Sequence, residues 1–439
     1  MIKPYPNYVR SDIKWVDALP ENWKSVPFYT VASESKLSNK GMIEDNLLSL
    51  SFGRIKRKSI DTQGGLLPAS FETYQIVNEN DIIFRLTDLQ NDKRSLRSAQ
   101  CTERGIITSA YVAVTPSSIR SRYLHYLMRA YDETKVFYNL GAGMRQSLKY
   151  DELKRLPILL PPDLTQQAIE KFLDRETQRI DSLIEEKQTF ITLLKEKRQA
   201  LISHVVTKGL NPNVEMQDSG IEWIGQVPKH WSVVQLKRLI DSIEQGWSPE
   251  CLATPAKNER WGVLKSGAVN GGVYSQDENK ELPETLSPRP EIEVKVGDLI
   301  MSRASGSREL IGSAAYVYAT RERLMLSDKL FRLHCKEDVD AEFVAIALGS
   351  FPLRRQIELA IGGAEGLANN LSQANIKKLL IPKPPKTEQE AITSHIKSVS
   401  SKIEDLIIET NNSIALLKER KTSLISAVVT GKIDVRETV

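Results

Sequence analysis

The chain has 439 residues, of which 41% are hydrophobic and 26% charged, and its formal net charge is +4. This length suits several domains, and the small net charge does not by itself indicate a partner. No apolar run reaches the roughly 18 residues of a membrane-spanning helix, so we expect no membrane span. The first residues show no apolar signal core and the three cysteines lie far apart, which favours a cytoplasmic protein without disulfides.

An internal repeat is the most informative feature of the sequence. IKWVDALPENW at residues 13–23 recurs as IEWIGQVPKHW at residues 221–231, with both tryptophans and the proline aligned. The other matched pairs are LKRLPILLPPDLTQQAI (153–169) with IKKLLIPKPPKTEQEAI (376–392), and LLKEKRQALISHVVT (193–207) with LLKERKTSLISAVVT (416–430). Such self-similarity predicts two copies of one structural unit.

Between the matched segments, each copy carries a divergent stretch of mixed pattern. Apolar runs such as DIIFRL at 81–86 and DLIMSR at 298–303 are typical of strands. A run with helical spacing follows in each copy, and then a glycine-containing loop. We therefore predict a chain of the α+β class with two mixed α/β modules, one over residues 1–155 and one over residues 215–378.

Each copy ends in a long amphipathic segment, which predicts helices over residues 160–208 and 385–431. A proline pair precedes both, and Thr387 with Glu390 has the spacing of a capping box. Because the second module joins the end of the first helix to the start of the second, we expect an antiparallel coiled coil with a pseudo-twofold axis. A shared heptad pattern predicts that its interface consists of Leu173, Ile180, Leu183, Phe190, Leu194, Leu201, Ile396, Val399, Ile403, Leu406, Leu417 and Leu424.

Motifs for catalysis are missing from the sequence. It contains no Gly-x4-Gly-Lys-Ser/Thr phosphate loop, no GxGxxG and no GxSxG. The histidines and cysteines show no HExxH or CxxC spacing, which argues against a zinc site. We therefore expect a non-catalytic chain that holds neither a cofactor nor a metal ion, with any chemistry supplied by a partner.

Polar loops in both modules carry side chains suited to nucleic acid. GRIKRKS at 53–59 and NDKRSLRSAQ at 91–100 are basic, and matching the strands NDIIFR and GDLIMSR places Arg85 opposite Arg303. Arginine, asparagine and glutamine read base edges, whereas lysine and serine hold phosphates, although each residue taken singly also fits a solvated loop. The candidate DNA-binding residues are Arg54, Lys56, Arg57, Lys58, Arg85, Lys93, Arg94, Arg97, Arg145, Gln146, Lys265, Ser302, Arg303, Ser305, Arg308, Asn369, Asn370 and Gln373.

The repeated elements resemble those of a known family. The paired W…LPENW and W…VPKHW elements, the PP…Q-AI helix starts and the LISxVVT helix ends together resemble the specificity subunit of type I restriction–modification systems, over the whole chain. The resemblance implies that each module is a target recognition domain, and that the helices set the spacer of a split, asymmetric site on double-stranded DNA. The resemblance does not imply which residues contact bases. It implies only the positions of the recognition loops, which follow Arg85 and Arg303 and surround Gln146 and Asn369.

The resemblance also implies partners. Two methyltransferase subunits bind such a chain and methylate adenine with S-adenosylmethionine, and restriction subunits that use ATP and Mg join some complexes. Two alternatives remain open at this point. One is the specificity subunit of a related system with a fused cleavage–methylation partner, and the other is a coiled-coil scaffold that does not bind DNA.

Overall fold

The computed structural model describes residues 3–60, 70–87, 89, 96–139, 148–362 and 369–437. The chain divides into two compact units. The first comprises residues 1–188 and 411–439, so it contains both ends of the chain, and the second comprises residues 189–410. Across the described residues, no helix is both long and apolar enough to cross a membrane.

The first unit combines short strands with two helices and the beginning of a long one. Its strands are β1 (Tyr8–Arg10), β2 (Ala18–Pro20), β3 (Lys24–Pro27), β4 (Ala32–Ser35), β5 (Leu37–Ser38), β6 (Leu48–Ser51), β7 (Arg54–Arg57), β8 (Gln75–Val77), β9 (Ile82–Phe84), β10 (Ser98–Gln100), β11 (Gly105–Ile107), β12 (Val112–Pro116) and β13 (Pro157–Leu160). Its helices are α1 (Ser121–Glu133), α2 (Tyr150–Leu153) and the first part of α3 (Asp163–Lys208), which continues into the second unit.

The second unit has the same kinds of element. Its strands are β14 (Met216–Asp218), β15 (Gln226–Pro228), β16 (Ser232–Gln235), β17 (Ile240–Gln245), β18 (Gly262–Leu264), β19 (Asn279–Glu281), β20 (Leu299–Ser302), β21 (Ala314–Tyr316), β22 (Leu324–Met325), β23 (Leu330–Cys335) and β24 (Leu380–Lys383). Its helices are α4 (Ala341–Gly349), α5 (Phe351–Ala360), α6 (Gln373–Lys378) and the first part of α7 (Lys386–Val429), which ends in the first unit.

The sheets repeat from one unit to the other. The central sheet has the strand order β10-β9-β12-β4 in the first unit and β21-β20-β23-β17 in the second. In each unit, the strand after the Trp-Pro-Trp element pairs antiparallel with the strand before the long helix, as β3 with β13 and β16 with β24. The central strands β9 and β20 are buried throughout, which explains their continuous apolar runs. The predicted repeat of mixed α/β modules is confirmed.

The long helices are antiparallel, as predicted. In the first unit, the late α7 residue Lys421 donates to Asp181 of α3 at 2.7 Å, and Ile425 of α7 shares a core with Leu173 of α3. In the second unit, the late α3 residue Leu194 packs with Ile403 of α7. Each helix therefore buries against the other the apolar stripe that it would expose alone.

One set of isoleucines on the inward faces of these helices recurs every eleven residues. They are Ile169, Ile180, Ile191 and Ile202 in α3, and Ile392, Ile403, Ile414 and Ile425 in α7, all buried or half-buried. Eleven residues in three turns give about 3.67 residues per turn, close to the 3.6 of a straight α-helix, whereas a heptad requires about 3.5. A stripe with this period stays close to one face of an α-helix.

This period corrects the heptad prediction. Positions chosen with a heptad move gradually around the helix relative to positions that repeat every eleven residues. The two largest misassignments lie near the middle of each helix. The heptad placed Phe190 and Leu406 in the interface, but their side chains are 44% and 43% exposed. Of the remaining predicted positions, Leu173, Ile180, Leu194, Ile396 and Ile403 are buried, and Leu183, Leu201, Val399, Leu417 and Leu424 are half-buried.

Each long helix stops at a left-handed glycine that packs on the tryptophan element. Gly209 follows α3 with a φ of +74°, and a Cβ on it would lie 3.1 Å from the Trp231 ring. Gly431 follows α7 with a φ of +76°, and a Cβ there would lie 2.5 Å from Pro20. Glycine is favoured at such helix ends because it lacks a Cβ. In the first unit, the amide of Asp434 also donates to the Lys3 carbonyl at 2.8 Å, which ties the two ends of the chain together.

The eleven-residue interface predicts which isoleucines stabilise the protein. Replacing buried Ile403 with alanine should lower the free energy of unfolding by about 2–5 kcal/mol, because it removes buried methyl groups and leaves a cavity. The same change at Ile408, whose side chain is 52% exposed, should cost about 0.5 kcal/mol or less. Urea denaturation followed by circular dichroism measures both, and equal losses would contradict the eleven-residue interface.

Candidate nucleic-acid interface

A basic hairpin stands out in the first unit. Strands β6 and β7 are joined by Phe52 and Gly53, whose φ values of +47° and +71° form the two-residue turn that matches strand twist. Asparagine or glycine usually fills the first position, because bulky residues are strained at positive φ. Phe52 nevertheless adopts a positive φ at this position, and its side chain is 75% exposed. Such local strain is often found at functional sites.

Arg129 of α1 contacts the backbone at the turn of this hairpin. Its Nη2 atom donates to the Gly53 carbonyl at 2.6 Å, and a Cβ on Gly53 would overlap the guanidinium. Burial lowers the pKa of Arg129, and its Nη1 atom has no partner among the described residues. Gly53 is therefore required both for its positive φ and for the close approach of Arg129. The exposed phenyl ring of Phe52 sits on a fixed backbone.

A groove of about 440 Å³ runs between the hairpin and the end of strand β9. Its lining residues are Ser49, Leu50, Ser51, Phe52, Lys58, Arg85, Thr87 and Tyr111. The structure thus brings together two predicted residues from separate stretches, Lys58 and Arg85, with the aromatic rings of Phe52 and Tyr111. Cationic and aromatic side chains around one groove form a surface that suits a nucleic acid.

The other basic residues of the hairpin differ in their surroundings. Arg54 is exposed, with its guanidinium 3.9 Å from Asp181, and Lys56 is exposed on the same strand. Arg57 donates to Glu103 at 2.7 Å and lowers the pKa of that carboxyl. Part of the charge of Arg57 is therefore neutralised within the protein. Lys56 has no ion pair of this kind among the described contacts.

The predicted DNA contact of Arg97 is wrong. Its side chain is fully buried, and it donates to the Thr87 carbonyl at 3.1 Å and to the Tyr138 hydroxyl at 3.3 Å. Its backbone amide donates to Asp132, and its carbonyl accepts from the Arg85 amide at 2.8 Å. Arg97 therefore anchors the strand beside Arg85. Four further predicted residues lie outside the described residues: Lys93, Arg94, Arg145 and Gln146.

The match of Arg85 with Arg303 is also wrong, by one residue. Asp81 and Asp298 each accept a backbone amide three residues before them, so these aspartates are equivalent. Further along, the Leu148 amide donates to Leu86, and the Leu371 amide donates to Arg303, both at 2.9 Å. Arg303 therefore corresponds to Leu86. The counterpart of Arg85 is Ser302, whose side chain is fully buried, so Ser302 does not face DNA as predicted.

The remaining predicted residues of the second unit surround the end of β20. The bond between Leu371 and Arg303 brings the segment of Asn369, Asn370 and Gln373 next to Arg303. The Arg303 guanidinium lies 6.0 Å from the centre of the Phe331 ring. Arg308 is exposed and donates to the Glu358 carbonyl, and Ser305 is half-buried. Lys265 forms an ion pair with Glu278 at 3.6 Å. No potential metal site of clustered histidine, cysteine or acidic side chains occurs within the described ranges.

No family model matches the chain, but individual proteins are similar to it. The type I restriction enzyme EcoEI specificity subunit of Escherichia coli is 34% identical over 174 residues, which are 39% of this chain and 29% of that subunit. The MjaVIII specificity subunit of Methanocaldococcus jannaschii is 26% identical over 373 residues, 82% of this chain and 81% of that one. The chain is thus similar to type I restriction–modification specificity subunits over most of its length.

Solved structures share the fold of this chain. A chain from a study of complex assembly and conformational transition in a type I restriction–modification system has a TM-score of 0.67, with 14% identity over 94% of this chain and 98% of that one. The HsdS subunit of Thermoanaerobacter tengcongensis has a TM-score of 0.52, with 14% identity over 96% and 99% of the two chains. At this identity, the likeness concerns the fold.

Sequence patterns missed part of this candidate interface. Phe52 and Tyr111 were not predicted, because apolar residues are usually assigned to the core. The signal that could have found Phe52 is a Phe-Gly pair between two short alternating strands, which is the spacing of a two-residue hairpin. No comparable local signal marks Tyr111, since the groove forms only when the strands are paired.

The buried carboxyl of Asp132 predicts a pH effect on stability. Burial raises its pKa to about 6, and the Arg97 amide and Arg129 oppose this increase. The folded state therefore holds this proton more tightly than the unfolded state, and stability falls as the pH rises from about 4 to 6. Between pH 4 and pH 7, the wild-type protein should lose about 2 kcal/mol relative to Asp132→Asn, measured by urea denaturation.

The control for this measurement is Asp151→Asn. Its exposed carboxyl has a pKa lowered by Lys154, so its small effect on stability should have the opposite sign. If Asp132→Asn shows the same dependence of stability on pH as the wild type, the raised pKa of Asp132 is ruled out as its cause.

Proposed function

We propose that this chain is the non-catalytic DNA-recognition subunit of a type I restriction–modification complex. Each unit reads one half of a bipartite, asymmetric site on double-stranded DNA. The observation that carries this proposal is that the two units share a strand order but differ in the side chains at one equivalent position. Arg85 lines the groove in the first unit, whereas its counterpart Ser302 in the second unit is buried. A conserved sheet with different side chains at one edge suits two modules that bind different base sequences.

In the first unit, the groove supplies the chemistry of both affinity and sequence discrimination. Lys58 and Lys56 hold phosphates, and Arg85 donates to a guanine edge in the major groove. Phe52 is the apolar contact, because its exposed ring stands at the tip of a rigid basic hairpin. An exposed apolar ring beside basic side chains stacks on bases or wedges between them.

The long helices provide the surface for protein partners. Leu193 of α3 and Leu416 of α7 occupy the same position in the two copies, and their side chains are 55% and 65% exposed. Phe190, Leu406 and Ile408 add further exposed apolar area. Exposed apolar surface on a helix pair favours protein contact. Two methyltransferase subunits dock there and supply S-adenosylmethionine chemistry, and restriction subunits supply ATP- and Mg-dependent cleavage, all in the cytoplasm.

The proposal is tested by mapping methylated adenines at base resolution in DNA from cells with and without this gene. Loss of one bipartite motif supports the proposal and supplies both half-sites and the spacer. If the partners are expressed and no motif is lost, the DNA-recognition proposal fails and a scaffold role gains support. The same map tests the helices as the spacer: deletion of four residues from each should shorten the spacer by about one to two base pairs and leave both half-sites unchanged.

The hairpin predicts a separable effect on binding. In the complex with methyltransferase, Phe52→Ala should weaken binding to a duplex carrying the site about tenfold, since one stacked base contributes about 1–3 kcal/mol. Phe351→Ala should leave binding unchanged, because Phe351 is similarly exposed at 62% but lies outside the groove. Fluorescence anisotropy at several salt concentrations measures both, and equal affinities would remove Phe52 from the interface.

A further inference from the structure

The same glutamine bond joins the module to the long helix in both units. Gln166 of α3 accepts from the Arg120 amide at 3.0 Å, and Gln389 of α7 accepts from the Asp340 amide at 2.9 Å. Each glutamine also donates to the carbonyl of the proline five residues before it, at 2.9 and 2.8 Å. Arg120 and Asp340 are the N-cap residues of α1 and α4, so these two helices start at equivalent places.

In the first unit, the long helix supplies the negative charges of this contact. Arg120 Nε donates to Glu170 at 2.6 Å, and the Arg120 guanidinium also lies 3.6 Å from Asp163. Further along both helices, Arg122 Nε donates to Asp174 at 2.7 Å. Glu170 is only 8% exposed, so its charge depends on the arginine beside it. The start of α1 therefore presents cations to an acidic face of α3.

In the second unit, the same positions carry the opposite charges. On the module side, Asp340 and Glu342 stand where the two arginines stand in the first unit. Lys397 Nζ of α7 lies 2.6 Å from Glu342, and the Thr393 hydroxyl donates to Asp340 at 3.0 Å. In the alignment of the long helices, each of the three α3 carboxylates is replaced: Asp163 by Lys386, Glu170 by Thr393 and Asp174 by Lys397. The module is therefore acidic at this contact, and the long helix is basic.

A tyrosine supports the ion pair in each unit, although it comes from a different element. Tyr126 of α1 donates to Asp174 at 2.6 Å, and the guanidinium of that ion pair lies 4.8 Å from the centre of its ring. In the second unit, Tyr318 donates to Glu342, and the lysine ammonium of that ion pair lies 4.8 Å from its ring centre. Both tyrosines thus bond the carboxylate and place a ring against the cation. The surroundings of the ion pair fit the reversed polarity.

Reversed polarity makes the wrong pairing of module and helix unfavourable in both directions. If the second module lay on α3, Glu342 would face Asp174, and Asp340 would face Glu170. Glu342 and Glu170 are only 7% and 8% exposed, and a buried carboxylate without a cation is strongly unfavourable. If the first module lay on α7, its arginines would meet Lys397. Repulsion between like charges discriminates against a wrong partner even where the shapes match.

We propose that the charge polarity of this contact determines which module each long helix accepts. The start of α3 accepts a module of this fold whose first helix begins with cations, and the start of α7 accepts one whose equivalent helix begins with carboxylates. While the chain folds, both helix starts are available to both modules, and the charges exclude the wrong pair. This inference does not depend on DNA recognition, because it concerns contacts within the chain.

The test exchanges the module and the helix charges independently in the full-length chain. In one change, residues 236–379 between β16 and β24 replace residues 28–156 between β3 and β13, so the second module stands in the first position. In the other, the substitutions Asp163→Lys, Glu170→Thr and Asp174→Lys give α3 the charges of α7. Each change is made alone and together. Hydrogen–deuterium exchange with mass spectrometry then measures the start of α3, whose peptides differ in sequence from those of α7.

The matched combinations should protect the start of α3 equally. These are the wild type and the chain with both changes. Either change alone creates a mismatch, and the amides there should exchange about tenfold faster, because the module no longer holds the helix start against local opening. The proposal is overturned if the helix substitutions have the same effect with both modules. It is also overturned if the transplanted module protects neither form of α3, because packing and not charge would then decide.

A pair of substitutions tests the polarity without a transplant. Asp174→Lys should speed exchange at the start of α3 about tenfold, because it places a cation against Arg122, and adding Arg122→Glu should restore most of the protection. Glu185→Lys makes the same charge change at an exposed position of α3 and should leave exchange unchanged. If Arg122→Glu restores no protection, the ion pair does not hold the module and the proposal fails.

Discussion

The antiparallel packing of α3 and α7 is the constraint on which the rest of this protein depends. Neither helix can bury its isoleucine stripe alone, and each spans both units, so neither unit is complete without a segment from the distant half of the sequence. The eleven-residue period keeps the stripe close to one face of the helix. This geometry suits the proposed spacer role, because the length of a helix changes in proportion to its number of residues.

The helix ends transmit this constraint to the units. Gly209 and Gly431 let the tryptophan elements pack closely against the last turns, and the same elements pair with the strands that lead into the helices. The frame is therefore held by backbone pairing and close packing, which depend little on the loops. This leaves the edge of each central sheet free to differ between units, as the buried Ser302 and the groove-lining Arg85 show.

Differences between the two copies are informative because the frame is the same. The long helix meets its module with carboxylates in the first unit, and with Lys397 and Thr393 in the second. In the first unit Arg85 lines the groove, whereas its counterpart in the second unit is the buried Ser302. A repeat thus acts as its own control, because a difference between the copies at equivalent positions stands out against the shared frame.

The sequence by itself determined the repeat, the strands, the long helices and their antiparallel order, because these follow from local periodicity, helix signals and chain connectivity. It also carried the family through the repeated tryptophan and helix-end elements. The tertiary structure alone decided that Arg97 is buried, that Arg303 corresponds to Leu86, and that Lys58 and Arg85 share a groove with Phe52. Burial and register depend on which strands pair across long stretches of chain, and a one-residue slip in a strand moves every side chain to the other face.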